Sequence, residues 1–171
     1  EVVGWIKIPD TMIDYPILQT ADNTFYIDHD IDRQPSKSGA VFLDYRNAEA
    51  DQQRHMILYG HNMKNGTMFH DLQNFKQKDF FDNHRHFSIW LYGEEREYEV
   101  VSEFIVSTDI SFIQTKFASD ESFTLFMDQL LALSKFETGY KPSPQDEILT
   151  LSTCTYEYRE MRNVVQAVRR K

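Results

Sequence analysis

The sequence predicts a mostly β domain, a barrel or closed sheet decorated by helices, and three observations point there. Short runs rich in β-branched and aliphatic residues recur along the chain, bounded by turn residues. Only one stretch, residues 119–136, carries a long helical pattern. The strands at 87–91 and 98–106, and those at 147–154 and 162–168, have connections short enough for antiparallel pairing. Many short strands with a single long helix make a barrel the natural architecture.

Taken in order, residues 2–8 read as a strand closed by the turn Pro9-Asp10. Residues 12–18 read as a second, with Pro16 confined to an edge or bulge because it cannot donate to a ladder. Residues 22–27 begin a short helical turn capped by Asp22 or Asn23, and 34–39 form a polar loop. Residues 40–45 read as a buried strand and 46–54 as a charged surface loop. An apolar strand from His55 gives out at Tyr59-Gly60-His61, where glycine lets the backbone turn or another group come close. Residues 67–75 are expected as a short amphipathic helix with Met68, Phe69, Leu72 and Phe75 on one side. Glu94, Glu95, Glu97 and Glu99 mark an exposed hairpin edge, where charge discourages strand addition. Ser119 caps the long helix, Asp120 and Glu121 suit its first turn, and Phe123, Phe126, Met127, Leu130 and Leu131 form a core-facing stripe.

At 171 residues, with 41% hydrophobic and 14% aromatic content, the chain can build one packed domain, expected to span 1–171. No repeat or linker divides it. The net charge of −9 and the lack of a basic block before Arg169-Arg170-Lys171 argue against nucleic acid as a partner. One cysteine rules out an intramolecular disulfide and leaves the compartment open. No stretch approaches the roughly 18 apolar residues of a membrane span. Opening on Glu1 rather than Met reads as a trimmed or processed chain, with a leader or anchor upstream.

The chemistry concentrates at the last two strands. If residues 147–154 pair with 162–168, Cys154 lies across from Arg162. A nearby cation favours the thiolate and can also serve an oxyanion. A lone cysteine also reads as a small buried hydrophobe. His61 stands out among six histidines because, like Cys154, it arrives where a strand ends. Alternation in a strand would put His84 and His86 on one face, with Asp82 nearby, but they lack a third strong metal ligand, and no oxygen-rich calcium loop is present. Ser152 sits in no nucleophile elbow, and no phosphate loop or dinucleotide fingerprint occurs, so no metal and no cofactor is expected.

Thr150-Leu151-Ser152-Thr153-Cys154, then Arg162-Asn163-Val164-Val165, with Tyr59-Gly60-His61-Asn62-Met63 upstream, resembles the sortases, cysteine transpeptidases of Gram-positive surfaces. Gly4-Trp5-Ile6-Lys7-Ile8-Pro9 and Ile13-Asp14-Tyr15-Pro16 look like that family's opening strands. Phe42-Leu43-Asp44-Tyr45-Arg46 and the long helix resemble class B. The resemblance implies an eight-stranded barrel with the site in a groove at one end. It implies that Cys154 attacks a threonine carbonyl in a C-terminal sorting signal. An amine of a peptidoglycan precursor or another acceptor then resolves the thioacyl-enzyme. His61 would be the general acid and base, and Arg162 would hold the substrate backbone and oxyanion; Arg159 is a rival for that arginine. Thr108, Phe112 and Ile113 correspond to the class B substrate wall, and Asn23, Ile27 and Ser152 are further peptide contacts by position. Phe112 stands where some relatives carry tyrosine, and Thr155 where an acidic residue can occur. Class B implies no bound calcium, a membrane anchor outside this chain, and a place on the outer face of the cell membrane. A sorting signal of Asn-Pro-x-Thr or Pro-x-Thr-Gly type fits equally. A cysteine endopeptidase using water, and a non-enzymatic peptide-binding barrel, remain alternatives on sequence.

Overall fold

The computed structural model describes residues 1–48, 53–154 and 159–171, with Cys154 through its backbone alone. Eight strands, β1 (Val2–Lys7), β2 (Asp14–Leu18), β3 (Val41–Leu43), β4 (His55–Tyr59), β5 (His86–Leu91), β6 (Glu94–Ser107), β7 (Ile148–Cys154) and β8 (Met161–Arg170), close into one barrel. Round the barrel they run β1-β2-β3-β4-β7-β8-β6-β5 and back to β1. The β2–β3 and β4–β7 pairs are parallel and the others antiparallel. Alternation along each strand sorts the side chains. Met56 and Leu58 of β4, Leu149 and Leu151 of β7, and Val165 and Ala167 of β8 fill the interior with Ile6, Ile89 and Val100.

The helices are α1 (Lys78–Asn83) and α2 (Asp120–Leu131). Ser119 caps α2 in a reciprocal pair with Ser122, and Asp120 and Glu121 occupy its positive first turn. Phe123 and Met127 pack on Val101, Ile148 and Val168, and Leu130 packs on Phe104 and Val164, so α2 covers the outer faces of β6, β7 and β8. Each such buried side chain contributes about 1.5–3 kcal/mol. The helix stops at Leu131, short of residue 136, because the chain turns back to the barrel: the Lys135 N–H donates to the Glu103 carbonyl at 2.7 Å. Among the described residues no helix is long and apolar enough to cross a membrane.

Several local expectations need correcting. Glu94 and Glu95 are exposed at the hairpin, as expected, but Glu97 and Glu99 do not line an edge, because there β6 is bonded to β5 on one side and β8 on the other. Two of the carboxylates meet arginines: Glu94 bridges Arg96 and Arg169, and Glu99 meets Arg85 and Arg170. Residues 67–75 do not form an α-helix; a 3-10 helix runs over His70–Lys76. Met68 takes a positive φ of 59°, and the Phe69 N–H donates to the His61 carbonyl at 2.8 Å, which draws this segment tightly onto the end of β4. Met68, Phe69, Leu72 and Phe75 are nevertheless all buried. The segment 46–54 is not simply a surface loop, since Asn47 is fully buried and bonded to β4 at the His55 carbonyl and the Ile57 N–H; residues 49–52 lie outside the described part. His84 and His86 do not share a strand: His84 follows α1, stacked on Phe80 and paired with Asp10, while His86 opens β5. Pro16 fits the edge it requires, for β2 pairs with β3 only at Ile17 and Leu18.

Candidate active site

Two registers bring distant parts of the chain to one rim. Strands β4 and β7 run parallel with Tyr59 beside Ser152, so both give out at the same end of the barrel. Strand β8 returns antiparallel to β7 and sets Arg162 opposite Cys154. Directly opposed residues in such a pair have their Cβ atoms about 5 Å apart. Gly60 continues the β4–β7 ladder, donating its N–H to the Ser152 carbonyl at 3.3 Å, and His61 follows. A Cβ on Gly60 would lie 2.8 Å from the Phe69 ring, so glycine is what lets Phe69 pack there. Phe69 in turn holds the His61 backbone through its own N–H.

The His61 ring is half-buried, and its Nε2 lies 2.6 Å from the Ile27 carbonyl. A carbonyl only accepts, so Nε2 carries the hydrogen and Nδ1 is left for other work. Arg162, also half-buried, donates from Nη1 to the Met161 carbonyl at 3.2 Å and meets no carboxylate among the described residues. Among the described residues, then, no acidic partner competes with a ligand for the cationic head.

These groups open on a cleft of about 600 Å³. Asn23 and Ile27 line it from the segment before β3, and Thr108, Phe112 and Ile113 line it from the segment after β6. Ser152, His61 and Arg162 come from the strands that lie between those two in the barrel order. All eight side chains therefore meet at one cleft, with the Cys154 backbone beside them; Thr155 lies outside the described residues. Phe112 is also core, packed with Phe104, Leu130 and Val164. Arg159 is exposed and does not line the cleft.

Behind the cleft lies a buried polar scaffold that the sequence did not disclose. The Asp44 carboxylate is fully buried and takes five donors. Its Oδ1 accepts from the Arg46 N–H (2.9 Å) and Nε (2.8 Å), and its Oδ2 from Arg46 Nη2 (2.7 Å), Asn23 Nδ2 (2.9 Å) and the Tyr59 hydroxyl (2.8 Å). Burial alone would raise the Asp44 pKa, but the Arg46 bonds and the Tyr59 hydroxyl outweigh it and hold the carboxyl below its ordinary range. Burial and the Asp44 charge together push the Tyr59 phenol up, so it stays a donor. Arg46 Nη2 also donates to the Ile113 carbonyl at 2.8 Å. One residue further, the Gln114 carbonyl accepts from His55 Nδ1 at 2.6 Å. His55 is fully buried, and its Nε2 accepts from the Thr150 hydroxyl at 2.7 Å. Burial pushes its pKa down from the ordinary 6.5 to about 4, so the ring is neutral at pH 7. The one signal for this scaffold is a carboxylate, Asp44, inside the run read as a buried strand, two residues before Arg46 in the loop read as surface; its partners Asn23 and Tyr59, and Ile113 beside Arg46, are distant in sequence.

A family model described as the sortase domain matches residues 6–170. Sortase B of Listeria monocytogenes is 38% identical over 168 residues, covering 97% of this chain and 68% of that protein. Sortase B of Staphylococcus aureus is 31% identical over 160 residues, covering 94% and 66%. The chain thus spans about two thirds of the length of these relatives. The structure of a Staphylococcus aureus sortase B–substrate complex superposes with a TM-score of 0.92 at 31% identity, covering 99% of this chain and 80% of that one. A mixed eight-stranded barrel, a lone cysteine where β7 ends, and likeness over nearly the whole chain agree: this chain belongs to the sortase family of cysteine transpeptidases, on its class B branch.

Proposed function

We propose that residues 1–171 act as one catalytic domain that cleaves a C-terminal sorting signal and transfers the protein to an amine, with Cys154, His61 and Arg162 as its catalytic side chains. The Cys154 thiol gives its proton to His61 Nδ1; the thiolate attacks the carbonyl carbon of the threonine, and the S–C bond forms as a tetrahedral oxyanion develops. Arg162 neutralises that oxyanion; its guanidinium is not already bound to a carboxylate among the described residues. Collapse breaks the C–N bond, and His61 gives its proton to the departing amine. An incoming amine then attacks the thioester, His61 takes its proton, and the Cys154 sulfur leaves. Nδ1 is the atom for this shuttle, because Nε2 is bonded to the Ile27 carbonyl.

The peptide occupies the cleft of about 600 Å³, against Asn23, Ile27, Thr108, Phe112, Ile113 and Ser152. A sortase B relative has been solved with its substrate, which supports a peptide in this groove. The natural acceptor is an amino group of a peptidoglycan precursor, and the work is done at the outer face of a Gram-positive cell membrane. The observation that carries the reading is the common end of β4, β7 and β8, where His61 leaves one strand as Cys154 and Arg162 face each other across the next two. Mixing the protein with a sorting peptide and an amine nucleophile, then weighing the products, tests it. A peptide joined to the amine is expected. Hydrolysis alone, with the amine never incorporated, would make the protein an endopeptidase instead.

A further inference from the structure

The Asp44–Arg46 pair belongs to no catalytic step above, yet it is bonded to three separate stretches that line the groove. Through Asn23 Nδ2 it holds the segment before β3. The Tyr59 hydroxyl ties it to the end of β4, two residues before His61. Arg46 Nη2, reaching the Ile113 carbonyl, carries it to the segment after β6. Asn23 closes the loop by accepting the Tyr45 N–H at 2.9 Å. Asn23, Tyr59 and Ile113 all line the cleft.

The segment after β6 needs such a tie. Residues 111–117 belong to no helix or strand, so their carbonyls have no ladder to join. The Ile113 carbonyl is met by Arg46, and only a guanidinium can fork onto both Asp44 oxygens while reaching a third acceptor. An ordinary surface ion pair would not be built this way: Asp44 is fully buried, and its partners come from three separate stretches of chain.

We propose that Asp44 and Arg46 are positioning residues for the sorting peptide, which set the width of the groove by tying both of its sides to the strand that delivers His61. The inference rests on the peptide-transfer reading. It separates binding from chemistry: the pair shapes where the peptide lies and does not reach the sulfur. Losing it widens the groove and weakens peptide binding, while the reactivity of Cys154 toward small reagents is retained.

The test uses the full 171-residue chain with a fluorogenic sorting peptide and an amine acceptor. Arg46→Met is expected to raise KM about tenfold or more while kcat changes by less than about threefold, the pattern of lost ground-state binding. Arg46→Lys keeps the charge but not the fork, and is expected to fall between wild type and Arg46→Met. Alkylation of Cys154 by iodoacetamide, which needs no groove, should proceed at the wild-type rate in both. If Arg46→Met does not fold, Arg46→Lys decides by the same readouts. An unchanged KM in a working enzyme overturns the positioning role and leaves the proposed reaction standing. So does an alkylation rate that falls together with kcat, since that is general damage. A wild-type chain inert toward sorting peptides and amines ends the transfer reading, and this inference with it.

Discussion

Two histidines at opposite ends of β4 have opposite surroundings. His55, at the start of β4, is fully buried with both nitrogens engaged, by the Gln114 carbonyl and the Thr150 hydroxyl. His61, just past the other end of that strand, is half-buried with one nitrogen on a carbonyl. Two arginines divide the same way. Arg46 spends its fork on Asp44 and Ile113, whereas Arg162 donates to its neighbour's carbonyl and lines the cleft. Saturated groups hold shape; groups with unused valences are the ones that can do chemistry. Residue type does not separate the two pairs, and partner count does.

That contrast breaks most visibly in turnover. Cys154→Ala and His61→Ala are expected to lower the rate by about a thousandfold or more, and Arg162→Ala by about a hundredfold or more, measured as amine-dependent product formation. Thermal melts of these variants should stay within a few degrees of wild type. A large stability loss in any of them would blur the division between rim and scaffold.

The saturated side answers in stability. His55→Ala leaves the Gln114 carbonyl and a cavity behind, and is expected to cost about 3 kcal/mol in urea denaturation. Acid titration probes the same ring without mutation. The folded ring, depressed to about 4, binds a proton less readily than the unfolded chain's histidine at 6.5, so the unfolded state gains protons first as pH falls. His55 therefore stabilises fully above pH 6.5, and about 3 kcal/mol is lost as pH drops from there through 4. Below that, protonation of Asp44, whose carboxyl is held under its usual range, removes more. A His55→Gln variant should show a flatter stability profile between those two pH values; an equally steep one would assign the loss to other groups.

Gly60→Ala falls between the two classes. The new methyl would sit 2.8 Å from Phe69, at an expected cost of about 1–3 kcal/mol, and moving Phe69 should lower kcat by displacing His61. The smallest effect is expected at Arg159, exposed and outside the cleft: Arg159→Ala should change stability by less than about 0.5 kcal/mol and turnover by less than about twofold. Equal losses at Arg159 and Arg162 would overturn the choice of arginine.

The barrel was legible because strand alternation and turn residues are local signals, and so was the Cys154–Arg162 opposition, which follows from two good strands and a short connection. What stayed hidden was whatever depends on closure. Glu94 and Glu99 look like an edge in sequence, since nothing local reveals that β8 pairs along β6 and brings Arg169 and Arg170 to meet them. Asp44 falls in the run read as a buried strand and Arg46 in the loop read as surface, and neither reading names a partner: only the fold brings Asn23, Tyr59 and Ile113 around them. His55 gave no sign of its role, because its partners lie 59 and 95 positions away. The resemblance supplied the cleft residues by position, where composition and spacing alone would have left Thr108 and Ile113 as ordinary loop residues.

The most direct measurement is intact-mass spectrometry of the protein mixed with a sorting peptide in the absence of any amine. A covalent adduct equal to the peptide up to its threonine is expected, mapped by digestion to Cys154, reduced in His61→Ala and discharged when an amine is added. Peptide cleavage with no adduct at Cys154, or an adduct on another side chain, would contradict the account.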